Sequence, residues 1–260
     1  MKLINKQYIY KDQIGFVELW DVSRSCVDRE SIVETVATIA TLSYGNDAPK
    51  DPNALYKFLV DKGHTSVFEF IRTGLSPEQS TIQSSLRNES IKTYVELRAK
   101  NIELLRLTTS IEKLCEIHKS NIAMFKLKVP IFVARQIMRH RCASYLEMSR
   151  RYVKDSKKPF EFYYKNDDNE FIQSYAIALD NYHNLLSKGY KPEMARSVIP
   201  IGAYTIFFMM VDRKCFYNFA QQRIHPHAQF ETRIAAETML KLLQEYQPEF
   251  LTGTKYERGK

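Results

Sequence analysis

The chain has 260 residues, 44% of them hydrophobic and 26% charged, a make-up that excludes a disordered or collagen-like polymer. No apolar run approaches the ~20 residues of a membrane span, and the first residues carry no hydrophobic run of signal-peptide length. The net charge of +8 suits either a nucleic-acid binder or an enzyme with anionic ligands. Without zinc-finger spacing, an RNA-recognition aromatic motif or a basic tail, nucleic acid is the weaker reading.

In chain order, residues 13–22 place Ile14, Phe16, Trp20 and Val22 on one parity, the period of a strand. Val33, Val36, Ala37 and Ala40 then recur at helical spacing up to Leu42. Asp51 followed by Pro52 predicts a capped helix start, and Gly63 its stop. Residues 66–73 read as a strand. Residues at about 75–120 read as a helical insertion: Ser76-Pro77-Glu78-Gln79 has the form of a capping box, Asn88 caps a helix carrying Ile91, Val95, Ile102 and Leu105, and Ser110 caps a further one with Ile111, Leu114 and Ile117. Lys126 and Lys128 alternate with Phe125, Leu127 and Val129, as in a half-buried strand that Pro130 ends. A helix over residues 169–188 carries Phe171, Ile172, Tyr175, Ala176, Leu179, Tyr182 and Leu186 on one stripe and stops at Gly189. Residues 203–211 form an apolar strand buried on both faces, and His225-Pro226 opens a last long helix with Ile234, Ala235, Met239, Leu242 and Leu243. With no internal repeat or linker, the pattern predicts an α+β fold: a mixed sheet with flanking long helices, one domain over residues 1–260 with a helical insertion. The cysteines (Cys26, Cys115, Cys142, Cys215) lie far apart without a Cys-x-x-Cys pair, which argues against a disulfide framework or metal site and for a reducing cytoplasm.

The densest chemistry lies at residues 139–152, Arg-His-Arg-Cys-Ala-Ser-Tyr-Leu-Glu-Met-Ser-Arg-Arg-Tyr. Arginine keeps its charge and offers a planar fork of donors to phosphate oxygens. Composition alone leaves two readings open, a pocket for a polyanionic small molecule and a solvated basic helix end. Arg135, Gln136, Arg139 and His140 lie three and four apart on one expected helix, so they share a face; a salt-bridged surface stripe is the plain alternative. Ser149 has no Gly-x-Ser-x-Gly elbow around it, so a donor role asks less of it than a nucleophilic one. Cys142 beside His140 and Arg141 is a possible nucleophile by its neighbours; a small packed residue is the simpler reading.

Arg139-His140-Arg141, seven residues, then Ser149 resembles the signature of the flavin-dependent thymidylate synthases. Four further blocks resemble that family in order: Gly63-His64-Thr65-Ser66-Val67-Phe68-Glu69-Phe70, Pro130-Ile131-Phe132-Val133-Ala134-Arg135-Gln136, Ala195-Arg196-Ser197-Val198-Ile199-Pro200, and Asn218-Phe219-Ala220-Gln221-Gln222-Arg223 with Ala228-Gln229-Phe230-Glu231-Thr232-Arg233. The resemblance implies conversion of deoxyuridine monophosphate (dUMP) to dTMP in de novo nucleotide biosynthesis. The carbon would come from methylenetetrahydrofolate and the hydride from NADPH through bound FAD, with no covalent enzyme nucleophile and no metal. It implies flavin contacts from Ser43, His64, Ser66, Arg139, His140, Arg141, Glu147, Asp212, Lys214 and Asn218. It implies nucleotide contacts from Gln136, Arg139, Glu147, Met148, Ser149, Arg151, Arg196 and Arg223, with Arg223 catalytic through charge stabilisation on the uracil ring. It also implies a cytoplasmic homotetramer whose active sites combine several chains. Phe70, Leu146 and Asp212 depart from the family pattern, where His, Asn and Asn are usual, and the stretch before the Arg-His-Arg block is longer than usual.

Overall fold

The centre of the molecule is the strand whose lysines alternate with apolar residues. In this computed structural model, which describes residues 1–25, 28–46, 48–71, 110–151, 153, 155–164 and 168–257, strand β3 (Ile122–Pro130) runs between β2 (Phe16–Asp21) and β5 (Tyr204–Asp212). Strand β1 (Lys2–Tyr8) forms one edge and β4 (Ser144–Glu147) the other, in the order β1-β2-β3-β5-β4. The α+β class is as expected. The sheet is not mixed: every described pairing is antiparallel.

Helices cover both faces of this sheet, so β3 and β5 are apolar nearly throughout. On one face Leu19, Phe125, Leu127, Phe207 and Met209 meet helices α4 (Ile131–Met138), α7 (Arg213–Arg223) and α8 (Phe230–Tyr246). On the other, Ile122, Met124, Phe208 and Met210 meet α1 (Arg29–Thr41), Leu59 of α2 (Pro52–Asp61) and Phe68 and Phe70. Lys126 shares this second face and keeps its ammonium 5.9 Å from the Trp20 ring and 5.7 Å from Phe208, so its stem covers aromatic surface while its charge stays near water.

Local signals held where the chemistry was local. Asp51 caps α2 through its carboxylate to the Ala54 N–H (3.0 Å), and Gly63 takes φ 71° just beyond the stop. Ser110 caps α3 (Ile111–Asn121), accepting from the Lys113 N–H at 3.3 Å. The expected helices of residues 75–109 lie outside the described residues. Residues 66–73 do not begin as a strand. Thr65–Phe70 is a 3-10 turn, which turns Val67, Phe68 and Phe70 inward within four positions; a strand's alternation would have sent Phe68 away from Val67. The last helix starts at Phe230 rather than at His225-Pro226, because Pro226 sits in a turn closed by the Ala228 N–H to the His225 carbonyl (2.8 Å). Helix α5 (Asn169–Ser187) buries Tyr175 and Tyr182 beside Phe160, Phe162 and Ala203, and leaves Phe171, Ile172 and Ile177 exposed.

Candidate functional site

Helix α4 returns along the sheet and buries Val133, Ala134 and Ile137, which aims its other side at α7 and α8. The helix ends at Met138, so Arg135, Gln136, Arg139 and His140 do not share one continuous helical face. Arg139 caps it in the helical region, and the His140 N–H closes a tight turn on the Ile137 carbonyl at 3.0 Å. The Tyr145 hydroxyl bridges the carbonyls of Ile137 (3.0 Å) and His140 (2.9 Å) and holds this turn against β4.

The His140 ring is seated on the start of α7. Its Nε2 lies 2.8 Å from the Cys215 carbonyl and its ring edges onto Phe219 at 5.6 Å. A carbonyl can only accept, so Nε2 carries the proton. Burial pushes the His140 pKa below the usual histidine range, opposed by the Cys215 carbonyl and reinforced by the Arg223 charge. The neutral ring then has Nδ1 as an acceptor. Asp212 spends its carboxylate on the α7 N-cap, accepting from the Cys215 N–H at 2.8 Å. Arg223, at the far end of α7, donates from Nη2 to the Gln136 carbonyl (2.9 Å), while its buried Nε has no hydrogen-bond partner among the described residues. Gln136 is already engaged at its side chain: it donates to Gln229 and accepts from the Thr232 hydroxyl at 3.1 Å. Arg139, Arg141, Lys214 and Asn218 are exposed. Cys142, expected as a packed residue, is exposed as well, because it lies on the turn that leaves α4.

The second group gathers at the other end of β5. Glu147 pairs with Phe207 in register and accepts from the Thr205 hydroxyl at 2.5 Å. The Met148 N–H reaches the Ile206 carbonyl (2.9 Å), and the Ser149 N–H reaches the Ser43 carbonyl (3.2 Å), which brings Ser43 to this segment by its backbone. The Ser149 hydroxyl accepts from the Arg151 N–H at 3.3 Å. Arg151 pairs with Glu193 of the short helix α6 (Pro192–Ala195) at 3.3 Å, and Arg196 Nε reaches the Glu193 carbonyl at 3.4 Å. Glu147, Met148, Arg150, Phe160, Arg196 and Thr205 line a recess that is open to solvent. Asp212 and Thr205 stand seven positions apart on β5, roughly 23 Å at the rise of a strand. One chain therefore holds the two groups apart.

His64 and Ser66 form a third, exposed locality, where the His64 ring stacks on Phe58 at 5.8 Å. Of the three departures from the family pattern, Phe70 and Leu146 are buried in the second-face core, so apolar packing replaces polar chemistry there. The sequence reading missed Arg150, Phe160, Thr205 and Glu193. Arg150 alone left a local trace, standing between Ser149 and Arg151.

Comparison with known proteins bears on these groups. The family model described as thymidylate synthase complementing protein matches residues 116–249. A flavin-dependent thymidylate synthase of Thermotoga neapolitana is 36% identical over 137 residues, covering 48% of this chain and 62% of that protein. Proteins of the same description from Wolbachia pipientis (30% over 164 residues; 54% and 55% covered) and Thermus thermophilus (34% over 142 residues; 48% and 53% covered) are similar in extent. The chain thus spans little more than half the length of these curated relatives. The crystal structure of a UMP/dUMP methylase PolB from Streptomyces cacaoi bound with 5-Br UMP overlaps 52% of this chain and 73% of its own at 24% identity and TM-score 0.43, too loosely for residue correspondence.

Proposed function

Because the chain belongs to the thymidylate synthase complementing protein family, we propose that it is a flavin-dependent thymidylate synthase that methylates dUMP to dTMP. Methylenetetrahydrofolate would give the carbon and NADPH the reducing equivalents. The observation that carries this reading is Arg223, a half-buried guanidinium whose buried Nε has no acceptor among the described residues. An unmet buried donor costs about 1–3 kcal/mol, a cost removed when a ligand oxygen arrives. On the uracil ring, such a fixed cation stabilises negative charge as it develops.

The donors around it fit a dinucleotide. Arg139 and Arg141 are exposed cations without a protein partner among the described residues, and Lys214 and Asn218 are exposed on α7, the helix on which the His140 ring is seated. Fixed forks of this kind suit a pyrophosphate. FAD, when bound, carries hydride from NADPH to the nucleotide-borne carbon. His140 would present its neutral Nδ1 as an acceptor, and Asp212 would hold the start of α7 in place. Glu147, Met148, Ser149, Arg151 and Arg196 would take the nucleotide in the recess. No group in the chain needs to attack the uracil: the Ser149 hydroxyl is already an acceptor from backbone and no described side chain serves it as base. Since the two groups lie at opposite ends of β5, a complete site would combine them from different copies, as in a homotetramer, with His64 and Ser66 supplied the same way.

Tritium release from dUMP labelled at C5, measured with and without the folate and NADPH, tests the reading together with the visible spectrum of the purified protein. Release that depends on both co-substrates supports it. A colourless protein that binds no added FAD and releases no tritium ends it. Cys142→Ser should keep its turnover, and loss of turnover with flavin retained would return the cysteine to the mechanism.

A further inference from the structure

Arg150 is absent from the residues that the family resemblance uses, yet it lines the recess beside Arg196. Its guanidinium is fixed on three sides. Nη1 donates to the Lys158 carbonyl, Nη2 to the Pro159 carbonyl at 3.2 Å, and the plane lies 4.1 Å from the centroid of the Phe160 ring, itself a wall of the recess. These two bonds use two of the five N–H groups of an arginine.

Among the described residues Arg150 forms no ion pair. The nearby carboxylates are committed elsewhere. Asp155 accepts from the Phe160 N–H (2.6 Å) and pairs with His183 Nε2 (3.0 Å), and Glu161 is paired with Lys128. Glu147, the one carboxylate on the recess wall, faces two arginines there, which leaves the recess with net positive charge. Burial works against the charged form of Arg150, ahead of the favourable influence of Asp155, but a guanidinium does not give up its proton at physiological pH. The fold thus holds a rigid, half-desolvated cation at the recess and compensates it with two carbonyl dipoles and a ring face, none of them a full charge.

We propose that Arg150 is a specificity-determining residue, which together with Arg196 makes the recess select ligands bearing a phosphate group over their uncharged counterparts. This rests on the nucleotide reading of the recess and assigns the phosphate discrimination to a residue outside the family signature. Phe160 packs on the guanidinium and the 158–159 carbonyls set its position, so the charge has little rotamer entropy left to lose on binding.

The experiment measures equilibrium binding of dUMP, deoxyuridine and inorganic phosphate to the full protein and to Arg150→Met and Arg150→Lys. Loss of a hydrogen-bonded charge contact predicts that Arg150→Met weakens dUMP by roughly tenfold to a hundredfold, with deoxyuridine unchanged. In turnover, KM for dUMP should rise while kcat at saturation holds. Arg150→Lys should recover part of the discrimination, since it restores charge without the fork. An unchanged dUMP-to-deoxyuridine ratio in either variant overturns the proposal, as does an equal loss of both ligands, which would mark a purely structural role. Should Arg150→Met not fold, the ratio in Arg150→Lys decides alone. Failure of the nucleotide reading looks different: the unaltered protein would bind no dUMP, and inorganic phosphate would then be the probe. Phosphate binding lost in the Arg150 variants would support the anion site without the nucleotide, and phosphate binding that ignores Arg150 would end both.

Discussion

The two ends of β5 hold their arginines in opposite ways. At the Thr205 end every arginine near the recess has a partner: Arg150 has its two carbonyls, Arg151 has Glu193, and Arg196 has the Glu193 backbone. At the Asp212 end Arg139 and Arg141 stand exposed without protein partners among the described residues and Arg213 reaches the Thr252 carbonyl at 3.4 Å, while Arg223, at the far end of α7, is anchored through one nitrogen. A cation already held needs little reorganisation to receive a small anion. A cation left in water suits a large ligand that brings its own phosphates, or a second copy of the chain. The difference separates a preformed recess from an open electropositive shelf, the contrast that the proposed division between nucleotide and flavin calls for.

Breaking the anchored end of that shelf should have the largest effect. Arg223→Ala should lower kcat by about a hundredfold to a thousandfold, the range for removing one fixed donor from a developing charge. Arg223→Lys should recover little, because a point charge does not copy the fork. Turnover above a tenth of the unaltered rate in Arg223→Ala would remove it from the chemistry. Next in size, Arg139→Ala or Arg141→Ala should weaken FAD roughly tenfold or more by titration with the thermal midpoint unmoved, since neither side chain supports the fold. Full flavin occupancy in both variants would reduce the shelf to a solvated surface.

Between these ends the fold was legible where one segment carried the whole signal. Asp51, Gly63 and Ser110 marked helix ends through contacts within a few residues. The alternation around Lys126 and Lys128 marked β3 because one strand carries both faces. β1 left no such mark: it is an edge strand whose residues are mostly exposed, so its apolar period is weak. Helix α7 did leave one, in Phe216, Phe219 and Ala220 at helical spacing behind Asp212, but Phe219 and Ala220 fall within a motif block that drew the reading to chemistry instead. The recess was hidden for a different reason. Glu147 with Arg150, Phe160, Arg196 and Thr205 come from separate segments that meet through the β4–β5 pairing, the Phe162–Ala203 bridge and the α6 turn, so no local period encodes them. The family resemblance supplied Glu147 and Arg196 but not Arg150 or Phe160, which lie outside its motifs.

His140 should give a smaller effect that depends on pH. Its pKa is held below the free value of about 6.5 by burial. The unfolded chain therefore takes up the proton first as pH falls, and the stability that His140 contributes is present above about pH 6.5 and lost below it. Because Nε2–H donates to the Cys215 carbonyl in the neutral state, His140→Gln, whose amide nitrogen reaches that position, keeps a donor and removes the titration. Urea midpoints measured between about pH 7.5 and pH 5 should fall less in His140→Gln than in the unaltered protein. Parallel profiles would show that this ring does not govern the acid sensitivity of the shelf.

The smallest effect tests whether the recess arginines are held in readiness or held back. Glu193 pairs with Arg151 at 3.3 Å, and both side chains are well exposed. An exposed pair contributes about 0–1 kcal/mol, so Glu193→Gln should leave folding stability nearly unchanged. Its effect on binding has the opposite sign to that of an ordinary contact. A nucleotide phosphate and the Glu193 carboxylate compete for one guanidinium, and removing the carboxylate charge frees it. Affinity for dUMP should therefore rise by up to about fivefold, the factor that corresponds to ~1 kcal/mol, and the gain should shrink as salt screens the competing charge. Because Arg196 bonds the Glu193 backbone rather than its side chain, its position should survive the substitution. A loss of dUMP affinity would mean that Glu193 orients Arg151 for the phosphate instead of competing with it.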